Sequence, residues 1–266
     1  MILQNKNAII YGAGGSLGGA VAKALAAAGA KVFLTGRNIG SVQKVADEII
    51  TAGGQAEATQ VDAMDEKAII SCLDKIVQQA GHLDISYNAI SVDVVQNIPM
   101  VDISADDFMN PITHMLRSQY MTAIASGKIM MKQGSGVILS LSATPGGITY
   151  PYTGGFAPYC GALEIFSRNL ASELGIYGVR VVNMRSGGSP DSNVFKNAIE
   201  NHWDIMEPVL RKMEQDTMLK KLPMMADIAN LAVFLSSDLA GKITGVTVDV
   251  TCGTTAGLNY RAAKSS

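Results

Sequence analysis

Short apolar runs alternate along the chain with longer stretches in which apolar residues recur every three or four positions. Ala8-Ile9-Ile10-Tyr11 has the pattern of a buried strand and stops at glycines. Over residues 17–28, Leu17, Val21, Ala24, Leu25 and Ala28 keep helical spacing, and Gly29 ends the helix. Further strands are predicted at 31–35, 56–61, 83–87, 136–141 and 179–184. Further helices are predicted at 41–52, 67–80, 106–132 and 155–174. Strands separated by helices of this length imply an α/β fold: a doubly wound parallel sheet with right-handed crossovers and helices on both faces. Residues 187–222 break the rhythm with Pro190, Trp203, Pro208 and several methionines and charges. They predict an irregular, partly helical insertion at the carboxyl ends of the strands, which either covers a ligand or serves packing alone.

The junction between the first strand and the first helix carries chemistry. Gly12-Ala13-Gly14-Gly15-Ser16-Leu17-Gly18 sits there. Glycines permit a tight turn and close backbone approach to a pyrophosphate, and the helix N-terminus adds free N–H groups and a positive dipole end. A plain glycine turn is the alternative. The second strand ends Leu34-Thr35-Gly36-Arg37-Asn38. An NAD site wants a carboxylate here for the ribose 2′-OH, and none is present. Arg37 offers a fork of donors suited to a 2′-phosphate, which points to NADP(H) rather than NAD unless it is a solvated surface arginine.

Composition narrows the class. The chain has 266 residues, 48% of them apolar, and nothing resembling a linker, so one domain over 1–266 is expected. A net charge of −2 with both signs interspersed argues against nucleic-acid and membrane-surface partners. No membrane-length apolar run or signal pattern is present, and the scattered Cys72, Cys160 and Cys252 fit reduced thiols in a cytoplasmic protein rather than a disulfide or metal framework.

Together these residues resemble the short-chain dehydrogenase/reductase family, over nearly the whole chain. Gly12, Gly15 and Gly18 resemble its glycine-rich turn. Val61-Asp62 resembles the acidic residue that contacts adenine, with Ala63 beside it. Asp84-Ile85-Ser86-Tyr87-Asn88-Ala89 resembles the segment leading into its Asn-Asn-Ala-Gly motif. Ala162-Leu163-Glu164, Arg168 and Leu170-Ala171-Ser172-Glu173-Leu174-Gly175 resemble the end of its active-site helix. Val179-Arg180-Val181-Val182-Asn183, Ile243-Thr244-Gly245 and Val248-Asp249-Val250 resemble its last strands. The resemblance implies a single Rossmann-like domain. It also implies nicotinamide-cofactor contacts at Gly12, Gly14, Gly15, Ser16, Leu17, Gly18, Arg37, Asp62, Ala63, Asn88, Ala89 and Gly187, and a homodimer or homotetramer built through the helices at 106–132 and 155–174.

The departures cluster at the chemistry. Ser16 stands where a glycine is usual, and Ile90-Ser91 replaces Ala-Gly. Alignment puts Met115 in the slot of the family's Asn, Ala143 in that of its Ser, Phe156 in that of its Tyr and Cys160 in that of its Lys. None of these side chains can hold a relay water, position a substrate oxygen, give a proton or anchor a ribose. Ser142 is offset by one residue, which on a strand points to the other face. Tyr152, on the loop before the helix, is the candidate surrogate proton donor or else a loop anchor. Cys160 is expected as a small buried filler rather than a nucleophile, since no histidine is near it in sequence. Phe156 and Cys160, four apart, share a helix face and with Met115 and Ala143 form an apolar wall. The readings left open are an atypical NADP(H)-dependent oxidoreductase acting on an enoyl or carbonyl compound, a non-catalytic NADP(H)-binding sensor or scaffold, and a relic without cofactor.

Overall fold

The computed structural model describes residues 1–201 and 203–257; His202 and the last nine residues of the predicted 1–266 domain lie outside it. Within that range the strands are β1 (Asn7–Tyr11), β2 (Lys31–Gly36), β3 (Gln55–Gln60), β4 (Ile85–Asn88), β5 (Gly136–Ala143), β6 (Val179–Ser186) and β7 (Thr247–Val250). They form one sheet in the order β3-β2-β1-β4-β5-β6-β7, every neighbouring pair parallel. The order reverses between β1 and β4, so a crevice opens outside the carboxyl ends of those strands.

Side-chain alternation sorts the core into two layers. Ala8 and Ile10 of β1 pack with α1 (Ser16–Ala27), α2 (Ile39–Thr51) and α9 (Met225–Ser236). Ile9 and Tyr11 pack on the other face with α3 (Glu66–Ala80), α5 (Arg117–Gln133) and α6 (Phe156–Leu174). Caps set the starts of two helices a residue or two earlier than apolar spacing suggests. Asn38 accepts from the Ser41 amide, and Asp65 accepts from the amides of Lys67 and Ala68. Among the described residues no helix is long and apolar enough to cross a membrane.

Three findings differ from the sequence pattern. The helix predicted over 106–132 is α4 (Ala105–Pro111), then a π-helical turn (Ile112–Leu116), then α5. Pro111 has no N–H for the helical ladder, and the wider turn follows immediately after it. Residues 187–222 contain two regular helices, α7 (Asn193–Asn201) and α8 (Trp203–Asp216). Finally, α9 lies where no element is predicted. It packs along α1 through Ala229, Ala232 and Leu235.

Candidate functional site

The crevice beside β1 and β4 holds a cleft of about 220 Å³. Of the predicted cofactor residues, Gly12, Gly15, Arg37, Asp62, Ala63 and Ala89 line it. Gly12, with φ of +76°, turns the chain out of β1. A Cβ there would meet the Ala89 backbone at 3.1 Å, and one on Gly18 would sit 2.3 Å from the Gly12 carbonyl. A Cβ on Gly15 meets only the Gly12 carbonyl, at 3.4 Å, which leaves its outer side open to the cleft. This cradle fits the nucleotide the resemblance implies.

The remaining predicted residues support the cleft from behind or lie away from it. Gly14 packs on Ser41 at the start of α2, where a Cβ would meet the Ser41 hydroxyl. Ser16, Leu17 and Gly18 form the first turn of α1, and Ser16 Oγ accepts from the Asn193 amide of α7 at 3.2 Å. Asn88 is buried. It donates to Thr122 Oγ1 at 2.9 Å and accepts from the Ile90 amide, while Gln119 donates to its carbonyl. Gly187 continues the β6–β7 ladder by donating to the Val250 carbonyl, and it packs against Pro223. Tyr11, Thr35, Met64, His114 and Ser118, which the sequence does not single out as site residues, also line the cleft, as do Ile90 and Ser91. His114 and Ser118 arrive from the π-turn and α5; the one signal for them was their nearness to the Met115 slot.

Met115, Ala143, Phe156 and Cys160 do come together. They belong to one apolar cluster with Tyr159, Leu163, Ile112, Leu116 and Phe166, and Val92 and Val94 reach into it from the segment after β4. Phe156 stacks on Tyr159 with ring centroids 6.1 Å apart. Cys160 has 0% exposure. Burial pushes its thiol up to about 12, against a hydrogen bond from the Ala143 backbone that favours the thiolate. Such a thiol is protonated and inert near neutrality.

Tyr152 lines neither cleft nor cluster among the described contacts. It is 55% exposed, holds a positive φ of 62°, and its carbonyl accepts from the Asn97 amide. Ser142 follows the alternation of β5, facing α6 as Ser140 does, and it is Ala143 that departs from it. The Ser142 hydroxyl donates to Glu164 Oε1 at 2.7 Å and accepts from Asn183 Nδ2 at 2.8 Å, while Ala143 also packs against α6 residues. Both reach that helix because β5 ends here and the chain turns at Thr144–Gly146.

Below that turn lies a polar network. Arg185 grips Glu164 through two nitrogens at 2.9 and 2.5 Å and reaches Asp249 at 2.8 Å. Gly146 and Gly147 lie flat on the pair; a Cβ on either would collide with Glu164 or Arg185. Among the described residues no three acidic, histidine or cysteine side chains group as a metal site.

Residues 12–255 match the family described as Enoyl-(Acyl carrier protein) reductase. The chain is 29% identical over 259 residues to the 7alpha-hydroxysteroid dehydrogenase of Escherichia coli (strain K12), covering 97% of each chain. It is 29% identical over 255 residues to the versicolorin reductase of Emericella nidulans, covering 92% of this chain and 95% of that one. A crystal structure of a gluconate 5-dehydrogenase from Burkholderia cenocepacia J2315, in complex with NADP and tartrate, superposes with a TM-score of 0.86 at 20% identity. That match covers 96% of this chain and 97% of the other, and at this identity it is a likeness of fold.

Proposed function

Because the chain belongs to the short-chain dehydrogenase/reductase family of oxidoreductases, we propose that it binds NADP(H) and acts by hydride transfer on an enoyl or carbonyl small molecule with a flat, apolar face. One observation carries the reading: the cleft at the β1–β4 reversal is walled by a glycine turn and by Arg37, and the strand end that bears Arg37 has no carboxylate. The guanidinium fork suits a 2′-phosphate, whereas a ribose 2′-OH would call for an acceptor. The nicotinamide supplies the hydride chemistry when bound.

The residues of the chain divide the remaining work. The first turn of α1 and the glycines before it hold phosphate, Arg37 holds the 2′-phosphate, and Asp62 and Ala63 flank the base. Ala143, Phe156 and Met115 offer an apolar wall, which favours a conjugated acceptor. No side chain on that wall donates a proton and Tyr152 stands apart from it, so protonation falls to solvent. Forgoing a general acid costs about 10²–10⁴-fold in rate, which slows hydride transfer without forbidding it.

A second reading, a non-catalytic NADP(H)-binding protein, is favoured by one fact: the family slots pack with Val92 and Val94 into a continuous apolar cluster. Two measurements separate the readings. NADPH and NADH titrations followed by nucleotide fluorescence test binding. Single-turnover oxidation of bound NADPH by ketones, quinones and enoyl thioesters tests chemistry. Binding with turnover supports the enzyme, and binding with none supports the second reading. Absence of binding refutes both. The protein is also proposed to be a homo-oligomer through α5 and α6, where Tyr120 and Ile165 are exposed on adjoining helices; sedimentation of the wild type against Tyr120→Glu tests this.

A further inference from the structure

The apolar wall at the family's catalytic slots stands in surroundings short of cations. Residues 89–116 and 143–163 build most of it, and they contain no lysine or arginine. They hold four aspartates, Asp93, Asp102, Asp106 and Asp107, and His114 is their single basic residue. Beside the wall, Arg185 is shared by the carboxylates of Glu164 and Asp249, which leaves that cluster with a net negative charge. Gly146 touches both cluster and wall: a Cβ there would collide with Glu164 Oε1 and come within 3.3 Å of Cys160 Cβ. The helix α8, whose Lys212 and Asp216 act on Tyr150 of the loop before α6, adds no free cation, because Arg211 and Lys212 pair with Glu207 and Asp216. Phe156 is only partly buried, with Tyr159 stacked on one side of its ring. The π face of such a ring attracts a cation.

From these surroundings we infer that the substrate side of the site takes a flat, apolar cation, an iminium ion, as its hydride acceptor. The inference rests on the proposed NADP(H) binding and hydride transfer. It goes beyond that reading by naming the cationic nitrogen counterpart of a carbonyl. Hydride addition to the carbon of C=N⁺ forms one C–H bond, and the π pair returns to nitrogen as a lone pair. The nicotinamide is oxidised in the exchange and no proton moves, so a wall without an acid carries no penalty. A ketone or an enoyl compound passes instead to an oxyanion or enolate, for which Met115, Ala143 and Phe156 have no donor. The negative surroundings also oppose phosphate-bearing thioesters, since like charges repel strongly where water is scarce.

The test has a binding arm and a turnover arm, both on the full chain. Calorimetry compares N-methylquinolinium with neutral quinoline at about pH 8, and the wild type is expected to prefer the cation by about 3- to 10-fold. Phe156→Leu is expected to lose most of that preference, and Phe156→Tyr, which keeps the ring, to retain it. Circular dichroism of each variant checks that the fold is retained. Single-turnover oxidation of NADPH by N-methyl-3,4-dihydroisoquinolinium is expected to exceed the protein-free rate and to stay level between about pH 6 and pH 8, because no proton is consumed. Equal or tighter binding of quinoline overturns the inference and leaves NADP(H) binding standing. So does an undiminished preference in Phe156→Leu, an iminium rate no higher than without protein, or a ketone that turns over as fast. A chain that does not bind NADPH overturns the hydride-transfer reading and this inference with it.

Discussion

Ser16 and Asn193, 177 positions apart, meet across the mouth of the site: the Asn193 amide donates to Ser16 Oγ at 3.2 Å. The bond joins the first residue of α1 to the first residue of α7, so the hairpin of α7 and α8 is fastened to the glycine turn. Ser16→Ala removes the acceptor and keeps a residue that helices favour. Hydrogen exchange over α7 is expected to rise by about 2- to 10-fold, in line with the loss of one modest hydrogen bond. Mass spectrometry of the nucleotide-free protein measures it; exchange equal to the wild type would mean the bond does not hold the hairpin.

Arg37 predicts cofactor choice. Arg37→Ala is expected to weaken NADPH binding by about 10- to 100-fold, the worth of a charge-assisted hydrogen bond, and to leave NADH binding nearly unchanged. Fluorescence titration with both nucleotides checks this. Equal losses for the two would assign Arg37 to some other part of the ligand.

The Glu164–Arg185 pair predicts a fold defect. Both side chains are largely buried, and Arg185→Met strands the Glu164 carboxylate with Ser142 as its remaining hydrogen-bond donor. The expected loss is about 3–5 kcal/mol, because a buried charge is left without its partner. Urea unfolding measures it. A loss below about 1 kcal/mol would mean that the pair behaves like an exposed salt bridge.

Cys160 predicts alkaline sensitivity. Its ordinary thiol value is 9.0, and burial raises it in the folded state to about 12. Between those values the folded chain holds a proton that the unfolded chain has lost. Unfolding free energy therefore falls as pH rises through this window and is undiminished below it. The buried hydroxyl of Tyr159, pushed up from 10.0 chiefly by burial, adds to the fall above about pH 10. Cys160→Ala should flatten the first part of the decline, which urea midpoints at about pH 8 and about pH 10 compare.

Much of the fold is legible because local pattern and tertiary environment agree. Ala8-Ile9-Ile10-Tyr11 is apolar throughout because both faces of β1 are buried, and α2 and α3 show clean stripes because each buries one side. α9 escapes that logic. Its sequence, Met-Ala-Asp-Ile-Ala-Asn-Leu-Ala-Val-Phe-Leu-Ser, is apolar around most of its circumference, and its first amide is held by Asp191, 34 residues upstream. Neither feature gives a periodic signal. The glycine turn was readable because its spacing belongs to one βα unit. His114 was not, because its place on the cleft depends on a π-turn and on the approach of β4 to α5, which no short window contains. Gly187 is named by alignment, yet it packs on Pro223 and donates to the Val250 carbonyl, so resemblance locates the strand end without saying what the residue touches.

The packing of α9 along α1 has a consequence for biosynthesis. The helix that carries the glycine turn is synthesised well before the helix packed along it. Until α9 has emerged, the side of α1 that it covers stays open to solvent, and α1 rests on β1, β2 and α2 alone. A chain truncated before α9 is therefore expected to hold its nucleotide turn less firmly, far from the point of truncation.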